Sequence, residues 1–87
     1  MAEFLVELYV AREEAAVLEL QAERAQRAAE ELTDEGTPVR FLRSIFVPED
    51  ETCFFLYEAV SVAAVRDAVG RAGLLCERVV EAVAAPN

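Results

Sequence analysis

Two helix-period segments set among four strand-like ones, in the order β-α-β-β-α-β, predict an α+β domain of the ferredoxin-like kind: an antiparallel sheet ordered 4-1-3-2 with both helices on one face. Two other observations agree. Turn-forming residues cluster between the segments, and the 87 residues contain no linker, repeat or low-complexity stretch, so residues 1–87 read as a single domain.

Glu3 to Val10 alternates, with Phe4, Val6, Leu8 and Val10 on one side and Glu3, Leu5, Glu7 and Tyr9 on the other, which is the period of a strand. From Glu13 to Leu32 the spacing of Leu18, Ala22, Ala25, Ala29 and Leu32 is that of an amphipathic helix whose polar face carries Glu19, Glu23, Arg27 and Glu30. Its alanines allow a close approach to a sheet. Asp34-Glu35-Gly36 stops the helix, and Thr37, preceding Pro38, is pushed toward extended backbone. Val39 to Val47 and Thr52 to Ala59 then form a hairpin around Pro48-Glu49-Asp50-Glu51. Counting back from Val47 opposite Thr52 sets Ile45 beside Phe54, Arg43 beside Leu56 and Phe41 beside Glu58. Ser61 is placed to cap a second helix, with Val65, Ala68, Val69 and Ala72 inward and Gly73 as its terminator. Leu75 to Val83 is the last strand, followed by an Ala-Ala-Pro-Asn tail.

A net charge of −9 repels phosphate backbones and anionic lipid surfaces, so neither nucleic acid nor membrane is an expected partner. No apolar run approaches the roughly 20 residues of a spanning helix. The start Met1-Ala2-Glu3-Phe4 lacks the basic segment and cleavage site of a signal peptide, which points to a cytoplasmic location. Cys53 and Cys76 would stay reduced there, and their spacing matches neither a CxxC redox motif nor a zinc knuckle. The chain has no histidine, so Ser44 and Ser61 have no imidazole to activate them. Glu49-Asp50-Glu51 lacks the spaced ligands of a calcium loop, and Gly70 with Gly73 reads as helix termination rather than a phosphate cradle. No motif names a cofactor.

Sorting the strand residues by face gives one conventional core face, with Phe4, Val6, Leu8, Leu42, Phe46, Cys53, Phe55, Tyr57, Val80 and Ala82 beneath the helices. The other face holds Leu5, Tyr9, Phe41, Ile45, Phe54, Leu56, Val79 and Val83, and is too apolar to be left wet. A homodimer with sheets face to face is therefore expected, with Leu5, Phe41, Ile45, Phe54, Leu56 and Val79 as its interface. Among these apolar residues stand Glu7, Tyr9, Arg43, Glu58 and Glu81, a ligand or ion-pair cluster. In a 4-1-3-2 sheet Glu7 has Glu58 on one side and Glu81 on the other, so the three carboxylates converge. They suit a general acid or base, or the ligation of a hard metal ion by Glu7, Glu58 and Glu81. The plainer reading is an interface ion-pair network answered by Arg43, with Tyr9 as amphipathic packing or a hydroxyl donor.

The stretches Phe4-Leu5-Val6-Glu7 and Thr52-Cys53-Phe54-Phe55-Leu56-Tyr57-Glu58-Ala59, the Val65-Arg66 helix with its Arg71-Ala72-Gly73-Leu74 exit, and Arg78-Val79-Val80-Glu81-Ala82-Val83 together resemble a known family. It is a family of small, largely actinobacterial proteins of unassigned role that includes a nickel-binding protein. The resemblance covers nearly the whole chain and rests on fold-setting strand and turn residues. It implies a ferredoxin-like domain that dimerises through its sheet in a dimeric α/β-barrel arrangement, and it raises metal binding. Nickel prefers nitrogen-rich coordination, and this chain has no imidazole, which leaves the acid-lined sheet face as the candidate.

The function expected from all this is a small non-enzymatic binding or sensory module whose inter-sheet or edge space takes a metal ion or a small molecule. One alternative is a cofactor-free dimeric-barrel enzyme of monooxygenase or isomerase type, with Glu7 or Glu58 as base and Tyr9 or Arg43 steadying an oxyanion. Another is a purely structural dimer or interaction subunit.

Overall fold

Alternation in the strands and alanine spacing in the helices give, in a computed structural model that describes residues 1–83, two helices laid on one face of an antiparallel sheet. The expected tail, residues 84–87, lies outside the described residues. Strand β1 (Ala2–Tyr9) leads through a 3₁₀ turn at Arg12–Glu14 into helix α1 (Val17–Asp34). Strands β2 (Val39–Val47) and β3 (Thr52–Ala59) flank a second 3₁₀ turn at Pro48–Asp50, and helix α2 (Val62–Arg71) precedes the short β4 (Arg78–Ala82). The sheet order is β2-β3-β1-β4, which is 4-1-3-2 read from the other edge.

The helix stripe lands where its spacing predicts. Ala25, Ala29 and Leu32 of α1 are buried, with Leu18 and Ala22 packed at the margin of the core; Val65, Ala68, Val69 and Ala72 are buried beneath α2. Helix α1 starts four residues later than its pattern, because Glu13-Glu14-Ala15-Ala16 offers no side chain to cap the first turn and the chain takes a 3₁₀ turn instead. Ser61 does cap α2, its Oγ accepting from the Ala64 amide at 3.2 Å. Both helices end in the same way. Gly36 (φ +103°) and Gly73 (φ +72°) are left-handed, and the amides beyond them, Thr37 and Leu74, donate back to the carbonyls of Leu32 and Val69.

Two registers differ from the alternation read in sequence. The hairpin count holds for Val47–Thr52, Ile45–Phe54 and Arg43–Leu56, but a β-bulge between Phe41 and Arg43 then makes Leu42 an extra residue. Phe41 therefore pairs with Tyr57 rather than Glu58 and joins the covered face, edge-on to Phe55 (5.1 Å) and Tyr57 (5.6 Å). In β4, Val6 pairs with Val79 and Leu5 with Val80, so Val79 is buried beneath the helices while Val80 lies on the open face. Alternation does not fix this parity, because the strand proper opens only at Arg78, joined to β1 just before it by the Glu77 amide donating to the Glu7 carbonyl at 2.7 Å. Ala82 pairs with Glu3 and belongs to the open face; Val83 lies beyond the strand.

Tyr57 lies at the centre of the covered face, fully buried, and its hydroxyl has no hydrogen-bond partner among the described residues. Burial, reinforced by nearby Cys76, raises its pKa and keeps it neutral. A buried hydroxyl without a partner is destabilising, so Tyr57→Phe should raise stability by about 1 kcal/mol. In a domain of this size that is an increase in Tm of roughly 4–8 °C. Calorimetric melts decide it, and a lower Tm would show that the hydroxyl is bonded after all.

Candidate functional site

The open face of the sheet is built by the central pairing of β1 with β3. Leu5 stands against Leu56 and Glu7 against Phe54; β2 adds Ile45 and Arg43 on one side, and β4 adds Val80 and Arg78 on the other. The middle of this face is apolar. Leu56 is only 9% exposed although no helix covers it, because its strand neighbours close around it, whereas Ile45 (46%) and Val80 (36%) remain open to water.

The expected carboxylate cluster does not form. Glu58 pairs with Glu3, four residues along β1 from Glu7, which is a separation of about 13 Å at strand rise. Glu81 pairs with Phe4 and so lies on the helix side of the sheet, opposite to Glu7 and Glu58. Glu7 and Glu58 each answer an arginine that sequence reasoning did not assign to them. Arg78 Nε donates to Glu7 Oε1 at 2.7 Å, and Arg40 Nη1 to Glu58 Oε1 at 3.3 Å. Arg78 and Arg40 each sit directly across from the acid they bind, but the β4 register and the bulge after Phe41 that put them there are not marked in the sequence. Arg43, expected to answer the acids, has none within ion-pair distance among the described residues.

Tyr9 lies at the far end of the face, opposite Thr52 and away from Glu58. Glu51, then burial, then Glu13 and Glu14 raise the pKa of its hydroxyl, so it remains a protonated donor. It lines a cavity of about 200 Å³ with Val10, Ala11, Glu14, Val17 and Gln21. A larger cavity, about 330 Å³, lies between α1 and β2 and is lined by Thr33, Asp34, Val39, Arg40 and Phe41 among others. Neither brings Tyr9 and Arg43 together with the acids. Thr33 is structural here, its Oγ1 donating to the Val39 carbonyl and accepting from the Val39 amide to clip β2 to the end of α1.

The site is thus a half-wet apolar face flanked by ion pairs on a ferredoxin-like sheet. The chain belongs to the SCO4226-like family of nickel-responsive proteins, whose model matches residues 9–82. Among solved structures it is similar to SCO4226 from Streptomyces coelicolor A3(2), with 27% identity, a TM-score of 0.73, and coverage of 98% of this chain and 100% of that one. No curated protein matches it.

Nickel does not fit the donors present. The chain has no histidine, Cys53 is fully buried with its thiol pKa raised by desolvation, and no three potential ligands converge among the described residues. Oxygen donors tied to arginines are poor substitutes for nitrogen.

The Glu7–Arg78 pair is an exposed-rim contact, so its coupling should be below about 1 kcal/mol. A double-mutant cycle of Glu7→Gln and Arg78→Gln, read by chemical denaturation, is expected to return that value. Coupling of several kcal/mol would instead make the pair a principal support of the sheet.

Proposed function

We propose that this protein is a small, non-enzymatic binding module that works as a homodimer in the cytoplasm, its two sheets packed face to face in a dimeric α/β-barrel arrangement. The observation that carries this reading is the open sheet face, where Leu5, Phe54, Leu56, Ile45 and Val80 form a continuous apolar field. Antiparallel sheets with one solvated face normally alternate to polar residues there, and this one does not. A second copy supplies the missing cover, and the space between the sheets or at their edge takes a small apolar or amphipathic ligand. The enzyme alternative is disfavoured because Glu7 and Glu58, the bases it needs, are each held by an arginine. The two free cysteines accord with a reducing compartment.

Ile45→Asp and Val80→Asp place a charge at positions already exposed in the single chain, so the fold should persist, as read by circular dichroism. Light scattering should find wild type at twice the 9.6 kDa chain mass and both variants as monomers. Wild type at 9.6 kDa would end the dimer reading.

Tag-free, chelator-dialysed protein titrated calorimetrically with nickel should show no saturable binding up to high micromolar metal, because the donors are oxygen and two isolated thiols, Cys53 buried and Cys76 partly exposed, with no three potential ligands converging among the described residues. Saturable binding that Glu7→Gln removes would restore the sheet-face carboxylates as a metal site.

A further inference from the structure

The charges on the open face balance in sum but do not all pair within one chain. Glu7 is bonded to Arg78 and Glu58 to Arg40, which leaves Glu3 and Arg43, one of each sign, with no opposite charge within ion-pair distance among the described residues. Glu3 in fact sits directly across from Glu58, a like charge. Strand β3 lies between Glu3 and Arg43, and their partners on it, Glu58 and Leu56, are two residues apart. Strand spacing and rise thus hold the two charges roughly 12 Å apart at the backbone.

In water such leftover charges cost little. Under a second sheet each becomes an unpaired buried charge, which is strongly unfavourable. A two-fold interface offers one economical solution, because whatever residue i of one copy touches on the other, the reverse contact forms as well. We infer that Arg43 seats on Glu3 of the partner subunit, twice over by symmetry, and that this pair fixes how the sheets cross; the inference rests on the dimer reading above. The crossing follows from the grid of the sheet. A two-fold axis parallel to the strands lays β2 over β4 and brings Arg43 against Val80, leaving both charges stranded. An axis diagonal to the strands crosses the sheets near a right angle and carries Arg43, at the edge of the central row, onto the row of Glu3 and Glu58. Glu58 is already held by Arg40, so Glu3 is the free acceptor.

The test is sedimentation equilibrium over a concentration series for wild type, Arg43→Glu, Glu3→Arg and the double variant, with circular dichroism confirming the fold of each. Each single change should weaken dimerisation by roughly 30-fold or more, and the double variant, which restores opposite charges across the interface, should recover most of it. Net charge alone cannot imitate this pattern. Starting from −9, Arg43→Glu makes the chain more acidic and Glu3→Arg less so, and general repulsion would move the two affinities in opposite directions. A monomeric wild type overturns the dimer reading and this pairing with it. A dimeric wild type whose single variants are unchanged, or whose double variant fails to recover, overturns the pairing alone.

Discussion

The register of β1 on β3 is the constraint on which the rest of the molecule depends. These are the two central strands, and because side chains alternate strictly, placing Leu5 against Leu56 also places Phe4, Val6 and Leu8 with Tyr57, Phe55 and Cys53 on the opposite face. A slip of one residue would push that core into water and draw Glu3 and Glu7 beneath the helices. Helices α1 and α2 can cover the core face closely because the residues they set against it are mostly alanine and valine. Everything charged on β1 is then confined to the uncovered side.

That confinement gives the open face its character. Hydrophobic residues fill its middle, and arginines on the outer strands reach inward to the acids of the central pair, Arg78 from β4 and Arg40 from β2. Of the acids that sequence alone suggests as a reactive cluster, Glu7 and Glu58 are thereby neutralised locally and kept apart, and Glu81 lies on the other side of the sheet. The ion pairs are exposed enough to contribute little to folding, but they decide which charges remain available to another surface.

Membership of a nickel-responsive family and the absence of histidine pull in different directions, and the structure explains how both hold. In this chain the fold is set by alternation, alanine stripes and glycine helix ends, none of which needs an imidazole. Metal preference is kept by a few donor atoms that can change without disturbing any of them. Similarity to the Streptomyces coelicolor structure at 27% identity therefore carries the sheet and its faces across more securely than a ligand set.

Elements whose local and tertiary signals coincide were legible from the chain. The central strands, the inward stripes of both helices, the Ser61 cap and the left-handed glycines 36 and 73 all follow from side-chain period and backbone preference, which act over a few residues. The edge strands were not legible to the same depth. Val79 and Val80 are both apolar, so alternation cannot choose between them, and the bulge after Phe41 leaves no mark in a run of residues that all suit a strand. Those two misreadings moved Val79 and Phe41 off the expected interface, and Glu81 off the expected cluster. Sequence by itself determined the element order, the core stripe and the existence of a second apolar face, because each is set by local periodicity. Only the tertiary structure decided which charges share that face and which of them meet, because a single residue of register at an edge strand reverses every side chain beyond it.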